Sequence, residues 1–226
     1  VEPVAPQFVL DSLEDLAADV KVSAVRVGML GSGQIAQKVA EFLERAQFPN
    51  VVLDTVLNAT SGASLLDDEG KKALLEKLVP LASVVTPNAE EAAALTGTKS
   101  FCVDDMKEAA NRFHQLGARR VVITGGHLDK ATDLLSMKAG DVQIFKSDRL
   151  DSTCTHGTGC AFATAIACQL AQGRTLPEAV LLAKAYVTAA IGNGYAIGKG
   201  IGPVNHMYRM KNHPGGFVKK SASGNV

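Results

Sequence analysis

Short apolar runs rich in β-branched residues alternate with helical patterns along the chain, and this alternation constrains the fold more than any other feature. The runs predict four strands, over 23–28, 50–54, 83–86 and 119–124. Helical patterns follow the first three, over 33–46, over 68–81 and from Ala89. Strands that alternate with helices favour a mainly parallel sheet with helices on both faces, which is a three-layer α/β fold.

The second half of the chain adds a hairpin and more helices. The predicted elements are an amphipathic helix over 103–116, two strands over 132–137 and 141–145, and helices over 161–171 and 175–191. Thr175 and Glu178 have the spacing of a capping box at the start of the last helix. We therefore expect one domain over 1–210, followed by a polar, mobile tail over 211–226.

The composition excludes several classes of protein. With 46% hydrophobic residues among 226, the chain can bury a large core. Its 23 basic residues balance 23 acidic ones, which argues against a nucleic-acid partner. No apolar run is long enough for a membrane span, and no basic-then-apolar leader opens the sequence. We therefore expect no membrane partner.

The four cysteines do not form a recognisable framework. Their spacing does not match a C-x-x-C metal pattern, and they are too few for a disulfide scaffold in a chain of this size: Cys102, Cys154, Cys160 and Cys168. This usage indicates a reducing compartment, and we expect the protein in the cytoplasm.

The segment around 151–166 carries the strongest chemical signal. The residues over 155–159 (T-H-G-T-G) are small and flexible, and a helix-forming run begins at Cys160. The start of a helix offers free backbone N–H groups and the positive end of the helix dipole, and glycines let that backbone close around an anion. The spacing matches neither a Walker loop nor a dinucleotide fingerprint. The pattern predicts a phosphate site, although G-x-G alone is also typical of a tight turn without a ligand.

The run R-L-D-S-T-C-T-H-G-T-G-C over 149–160 resembles the signature of phosphomethylpyrimidine kinases in the ribokinase-like superfamily. Further similar segments are V-G-M-L-G-S over 27–32, V-L-D-T-V over 52–56, Ser61-Gly62, T-P-N-A-E-E-A over 86–92, G-G-H-L over 125–128 and G-P-V-N-H over 202–206. The resemblance implies a ribokinase-like kinase that uses ATP and Mg²⁺. Its small-molecule substrates would be a hydroxymethylpyrimidine and then its monophosphate, in thiamin biosynthesis, and the protein would be a homodimer.

The resemblance also implies roles at the glycine turn. Cys160 stands where most of the superfamily has Asp, and it would receive the proton of the substrate hydroxymethyl group. Gly157, Thr158 and Gly159 would form the anion hole. Because a helix N-terminus favours a thiolate, we expect the pKa of Cys160 to be lowered. The alternative is a small buried thiol that packs under the turn.

Five other positions would hold the metal and the ligands. Asn88 and Glu91 share one face of a helix start and would bind Mg²⁺, directly or through water; the alternative is a helix cap. Asp54 ends a very apolar strand and would help to hold the metal and phosphates, or would only cap the next turn. Met29 would contact the pyrimidine ring, where the alternative is a core methionine. Asn58 is a weaker substrate-contact prediction.

The chain departs from the family pattern in two places. Thr124 stands where the family has a phosphate-binding Lys before the glycine pair, so Thr124 and Gly126 would contact the nucleotide without a charge. The family also opens with a strand, a glycine-rich turn with Asp and a pyrimidine-binding Gln, and the sequence from Val1 shows none of them. Either residues precede Val1 in the natural protein, or the chain is a degenerate relative.

Three other functions are compatible with the residues. A pyridoxine or pyridoxal kinase acts on a similar hydroxymethylated ring. A ligand-binding relative without catalysis would explain Thr124. A hydrolase that uses Cys160 with His156 is a weaker hypothesis, because no Asp or Asn is evident to orient the histidine.

Overall fold

A six-stranded sheet forms the centre of the structure, a computed structural model that describes residues 2–59, 62–126, 128 and 130–212. The strands are β1 (Val25–Val27), β2 (Val51–Leu53), β3 (Val84–Val85), β4 (Val121–Gly125), β5 (Ala131–Lys138) and β6 (Asp141–Ser147), and they lie side by side in that order. β1 to β4 are parallel, while β5 and β6 run antiparallel to their neighbours. The structure confirms the mainly parallel sheet and the terminal hairpin.

Eight α-helices join and cover the described strands. They are α1 (Pro6–Asp19), α2 (Gly33–Ala46), α3 (Asp68–Ala73), α4 (Val79–Leu81), α5 (Ala89–Thr96), α6 (Val103–Gln115), α7 (Thr158–Ala171) and α8 (Leu176–Gly192). A π-helical turn, Leu74–Leu78, connects α3 to α4, and a 3₁₀ helix, Tyr208–Asn212, ends the described chain.

Different sets of helices cover the two faces of the sheet. In β4, Val121 and Ile123 belong to the core beneath α2 and α6, while Val122 between them belongs to the core beneath α7 and α8. This alternation follows from the two-residue period of a strand, and it requires β4 to be apolar on both sides. Helices on both faces confirm the predicted three layers.

Helix α1 was not predicted from the sequence. Pro6 occupies its first turn, where a missing N–H costs nothing, and Leu10 is its buried residue. The helix packs against α2, and Glu14 forms a salt bridge with Arg45 at 2.6 Å. Most of its surface is exposed, so its apolar period is weak and does not stand out in the sequence.

The predicted helix over 68–81 is continuous but contains a wide turn. Val79 donates its backbone N–H to Leu74 O, five residues earlier, immediately before Pro80. Proline lacks an N–H and its ring clashes with the carbonyl four residues back, so the widened turn accommodates the ring.

The start of α7 differs from the prediction in a way that affects the site. The helix begins at Thr158 rather than 161, with Gly157 as its N-cap. Thr158 and Gly159 therefore lie in the first helical turn rather than in a loop, and Cys160 lies in the same turn. The predicted tail begins inside the 3₁₀ helix at Lys211, and residues 213–226 lie outside the described residues. The single-domain boundary stays a prediction.

Two of the compositional expectations can be compared with the described residues. All four cysteines are free, as expected for a chain without a disulfide scaffold. Over the ranges that the structure describes, no helix has the length and apolarity to cross a bilayer.

Candidate active site

The carboxyl ends of the parallel strands meet at one edge of the sheet, where ligands bind in open α/β folds. Met29 follows β1 and is 51% exposed, and Asp54 directly follows β2 and is 5% exposed. Asn88 caps the helix that follows β3, and Thr124 lies near the end of β4. Four of the predicted site positions therefore lie along a single edge.

The glycine turn presents its backbone to open space. Gly157 has φ +83°, a left-handed conformation that favours glycine, and a Cβ added at Gly157 or Gly159 would meet no atom within 4 Å. The hydroxyl of Thr158 donates to Thr155 O at 2.6 Å, and no side chain caps α7. A cavity of about 660 Å³ opens beside Gly157 and Cys160. The turn is thus accessible to an anion, which a deeply buried turn would exclude.

Backbone hydrogen bonds to a distant segment hold the entry to this turn. His156 N–H donates to Gly202 O at 2.9 Å, and Val204 N–H donates to His156 O at 3.1 Å. His156 and Pro203 form an isolated parallel bridge as a result. The G-P-V-N-H segment therefore acts as a strap for the turn, a role that sequence spacing does not reveal.

An ion pair lies beside the turn. Arg26 in β1 forms a salt bridge with Asp54, and the Arg26 and Asp54 side chains are 26% and 6% exposed. Both side chains are also within hydrogen-bonding reach of the Cys160 thiol. The predicted catalytic Cys160 and the predicted ligand-binding Asp54 are thus brought together by a third residue that was not predicted.

The expectation of a lowered pKa at Cys160 is wrong. Burial raises the pKa of this thiol, the carboxylate of Asp54 raises it further, and the Arg26 guanidinium opposes both. Cys160 is exposed by surface area, yet the protein groups packed around its thiol still disfavour the charged form. Desolvation of the thiolate is therefore the dominant effect.

Asn88 and Glu91 form a capping box, which was the alternative interpretation for this pair. Asn88 Oδ1 accepts from the Glu91 N–H at 2.8 Å, and Glu91 Oε2 accepts from the Asn88 N–H at 3.0 Å. The hydroxyl of Thr55 also donates to Glu91 Oε2 at 3.2 Å. The amide oxygen of Asn88 is thus engaged as a helix cap, and the carboxylate of Glu91 is fixed near the end of β2.

The carboxyl group of Glu91 has an unusually high pKa. Burial raises its pKa from 4.5 to about 7, and the negative charge of Asp54 adds to the effect. Asp54 and Glu91 are thus two neighbouring carboxylates whose negative charges repel each other. Their oxygen atoms form a donor set that suits Mg²⁺. Over the described ranges, no group of three or more His, Cys, Asp and Glu side chains is arranged around a single point. The donor set at this edge fits a metal that shares its ligands with a nucleotide and water.

Thr124 lies next to Asn88 across the sheet edge. Its backbone N–H donates to Pro87 O at 3.0 Å, and Thr124 forms an isolated parallel bridge with Asn88. Gly126 is exposed, with open space where a Cβ would lie. The predicted nucleotide contacts are therefore adjacent to the predicted metal-binding pair, while His127 lies outside the described residues.

The hydrogen bonds of the structure do not test the predicted substrate contacts of Met29 and Asn58. Asn58 is exposed and forms an isolated bridge with Ser64, and Met29 is also exposed. Contact of Met29 and Asn58 with a ring remains a prediction. Ser61 lies outside the described residues.

Sequence reasoning missed Arg26, Thr55 and a buried pair behind the site. Lys184 in α8 donates to Asp133 Oδ2 at 2.9 Å and to Ala131 O at 3.0 Å. Arg26 could have been found from two signals: a charged residue in the apolar run V-R-V, and an acidic residue that closes the next strand. Charges on neighbouring short strands of a parallel sheet are expected to pair.

Comparisons with known proteins agree with this geometry. The phosphomethylpyrimidine kinase family matches residues 1–205. The chain is 45% identical over 213 residues to the thiamine biosynthesis bifunctional protein ThiED of Geobacter sulfurreducens, covering 92% of this chain and 42% of that protein. It is 38% identical to a hydroxymethylpyrimidine/phosphomethylpyrimidine kinase of Haemophilus influenzae, covering 91% of this chain and 78% of the relative.

A solved structure has the same fold. The ADP complex of Bacillus subtilis pyridoxal kinase matches with a TM-score of 0.85 and 36% identity, covering 93% of this chain and 80% of that one. The fold is therefore ribokinase-like, as the resemblance implied. This likeness and the match over residues 1–205 lead to one conclusion: the chain belongs to the phosphomethylpyrimidine kinase family.

Proposed function

We propose that the protein is a kinase that transfers the γ-phosphate of ATP to the hydroxymethyl group of a hydroxymethylpyrimidine, and then to the resulting monophosphate, in thiamin biosynthesis. The chain spans less than half of the bifunctional relative and about three quarters of the Haemophilus kinase. The activity is therefore proposed for this chain from its own site. The observation that carries the proposal is the open glycine turn at the N-terminus of α7, with Cys160, Asp54 and Arg26 around it.

The turn provides electrostatic stabilisation for the moving phosphoryl group. Phosphoryl transfer requires positioning and charge stabilisation more than covalent chemistry. The positive end of α7 and the backbone of Gly157, Thr158 and Gly159 supply such an anion hole. Because no side chain occupies the space over Gly157 and Gly159, a phosphate can approach the backbone directly.

Cys160 is placed to receive the proton of the attacking hydroxyl. It lies in the first turn of α7, beside the anion hole, with Asp54 and Arg26 within hydrogen-bonding reach of its thiol. The raised pKa makes a thiolate a strong proton acceptor once it forms, but it also means that the thiol is mostly protonated near neutral pH. The proposed reaction should therefore become faster as the pH rises.

Glu91 would hold Mg²⁺, directly or through water, with Asp54 adding negative charge nearby and Asn88 fixing the Glu91 side chain. Bound with ATP, the ion would neutralise charge on the phosphates. Thr124 and Gly126 would contact the nucleotide at the neighbouring strand end.

A coupled ADP-release assay tests the function. Wild-type protein is expected to turn over the pyrimidine alcohol and its monophosphate with ATP and Mg²⁺. Absence of turnover on both, with calorimetry that still detects pyrimidine binding, would instead establish a binding protein without catalysis. Absence of both turnover and binding would contradict the proposal entirely.

A pyridoxine or pyridoxal kinase is the second candidate, since the solved relative with a TM-score of 0.85 is a pyridoxal kinase. The same assay separates the two, because kcat/KM for the pyrimidine alcohol and for pyridoxal compares transition-state binding of the two rings. A higher kcat/KM for pyridoxal would make that ring the substrate.

A homodimer and a cytoplasmic location belong to the same proposal. The homodimer rests on family resemblance, and the cytoplasmic location rests on cysteine usage. Light scattering of the purified chain measures the mass directly, and a monomer at micromolar concentration would contradict the dimer.

A further inference from the structure

Arg26 occupies an unusual position for a strand residue. It lies in the middle of β1, yet its side chain reaches the carboxyl-end edge, where it pairs with Asp54. Within the ranges that the structure describes, its Nε is the one buried side-chain nitrogen or oxygen without a hydrogen-bond partner. A buried donor left unpaired costs stability, so a purely structural arginine would be expected to satisfy it.

The backbone of Gly28 makes room for the Arg26 head group. A Cβ added at Gly28 would lie 2.8 to 3.0 Å from the guanidinium atoms of Arg26. Residues two apart on a strand point to the same face, so only a glycine lets the guanidinium lie flat over this position. The guanidinium pairs with Asp54 and is within hydrogen-bonding reach of Cys160 in the first turn of α7.

The charges at this edge also need a cation. Asp54 and Glu91 are both acidic, and the phosphoryl group that the turn would hold is an anion. Thr124 is uncharged, and Lys184 donates to Asp133 and Ala131 on β5. The Arg26 guanidinium is the cation that acts on the Cys160 thiol.

We propose that Arg26 is a positioning residue of the reaction: its guanidinium holds Asp54 and Cys160 at the first turn of α7 and supplies the positive charge that Thr124 does not. This inference rests on the proposed kinase function. Arg26 remains partly exposed while Asp54 is almost fully buried, so the cation is the more accessible member of the pair. Without Arg26, Asp54 would lose the cation with which it is paired.

Three variants test the proposal by ADP release. Arg26→Gln removes the charge, and its kcat is expected to fall about 100-fold while KM for the pyrimidine alcohol changes less than about threefold. Arg26→Lys keeps a charge without the planar fork, and should retain activity within about tenfold of wild type. Gly28→Ala keeps Arg26 but displaces its head group, and should lie between Arg26→Gln and wild type. Arg45→Gln, at the surface pair with Glu14, is the matched control.

A second readout does not depend on turnover. The rate at which iodoacetamide alkylates Cys160 at pH 8, followed by peptide mass analysis, should fall several-fold in Arg26→Gln, because the cation that stabilises the thiolate is lost. Peptide mapping separates Cys160 from the exposed Cys102 and Cys168. Arg45→Gln should alkylate at the wild-type rate.

The outcomes distinguish this inference from the proposed function. If wild type shows no turnover, the kinase function fails, and alkylation still decides whether Arg26 acts on Cys160. If wild type is active while Arg26→Gln and Gly28→Ala match it in kcat and alkylation rate, Arg26 has no such role. If Arg26→Gln does not fold, Gly28→Ala and Arg26→Lys decide: wild-type kcat and alkylation in Gly28→Ala would overturn the inference.

Discussion

Single residues set the proton chemistry of this site, and Cys160 is the first of them. Cys160→Ala should reduce kcat about 100-fold or more, because a general base is lost. Cys160→Asp should remain active, with a pH–rate profile that reaches its plateau at lower pH than wild type, since a carboxylate ionises below a thiol whose pKa is raised. Initial rates from pH 6 to 9.5 measure this. Substantial turnover by Cys160→Ala would remove the residue from its role.

Glu91 should make stability depend on pH in an unusual direction. Its pKa is raised from 4.5 to about 7 in the folded protein, so the protonated form contributes stability that is present at low pH and lost as the pH rises through 7. Glu91→Gln keeps the cap but cannot ionise. Relative to wild type, it should gain about 2–3 kcal/mol in unfolding free energy between pH 5 and pH 8. Urea denaturation at the two pH values measures the difference.

Magnesium provides the control for that experiment. If Glu91 binds the ion, Mg²⁺ should stabilise wild type at pH 8 and leave Glu91→Gln unchanged, because ligand binding to the folded state adds to its stability. Equal stabilisation of both proteins would contradict a metal ligand at Glu91.

At the scale of elements, the end of β4 depends on a close approach of two strands. A Cβ added at Gly125 would lie 2.5 Å from Thr132 O on β5, whereas one at Gly126 would meet nothing within 4 Å. Gly125→Ala should therefore cost about 1–3 kcal/mol in unfolding free energy, and Gly126→Ala should be within about 0.5 kcal/mol of wild type. Thermal and urea unfolding compare the pair. Equal stability of the two variants would mean that the hairpin accommodates the added methyl group without loss of unfolding free energy.

The elements also show where local sequence patterns suffice. Helix α2 was predicted to the residue, because its apolar period is strong and Ser32 caps it. The start of α7 was placed three residues late, because Gly157, Thr158 and Gly159 have weak helix propensity and the position of the N-cap depends on the strap to Gly202. A backbone contact between distant segments cannot be predicted from the residues next to the turn alone.

At the scale of the whole molecule, the Lys184–Asp133 pair ties α8 to the sheet behind the site. Both side chains are at most 10% exposed, and burial raises the pKa of Asp133 while Lys184 opposes that shift. Lys184→Met should destabilise the protein by about 3–5 kcal/mol, because it leaves a buried carboxylate unpaired. The double variant Lys184→Met/Asp133→Asn should recover much of that loss. Chemical unfolding measures both, and a stable Lys184→Met alone would contradict the argument.

The sequence predicted the layers and several residues of the candidate site, but not the contacts between them. Asp54, Asn88, Glu91 and Cys160 each follow from a local motif. Two features depend on how β1, β2 and α7 meet in space: the pairing of Arg26 with Asp54, and the burial beside Asp54 that raises the Cys160 pKa. Contacts between such distant segments are visible in the structure but cannot be derived from residue spacing along the chain.

The strap from Gly202 to Val204 holds the turn at His156 through main-chain hydrogen bonds. Every residue has a backbone carbonyl and every residue except proline has a backbone N–H, so most side chains around this junction can be exchanged without loss of these hydrogen bonds. Gly202 is an exception, because a Cβ there would lie 2.8 Å from Cys154 Sγ. Relatives that prefer different aromatic rings can therefore inherit one unchanged transfer centre while their recognition surfaces diverge.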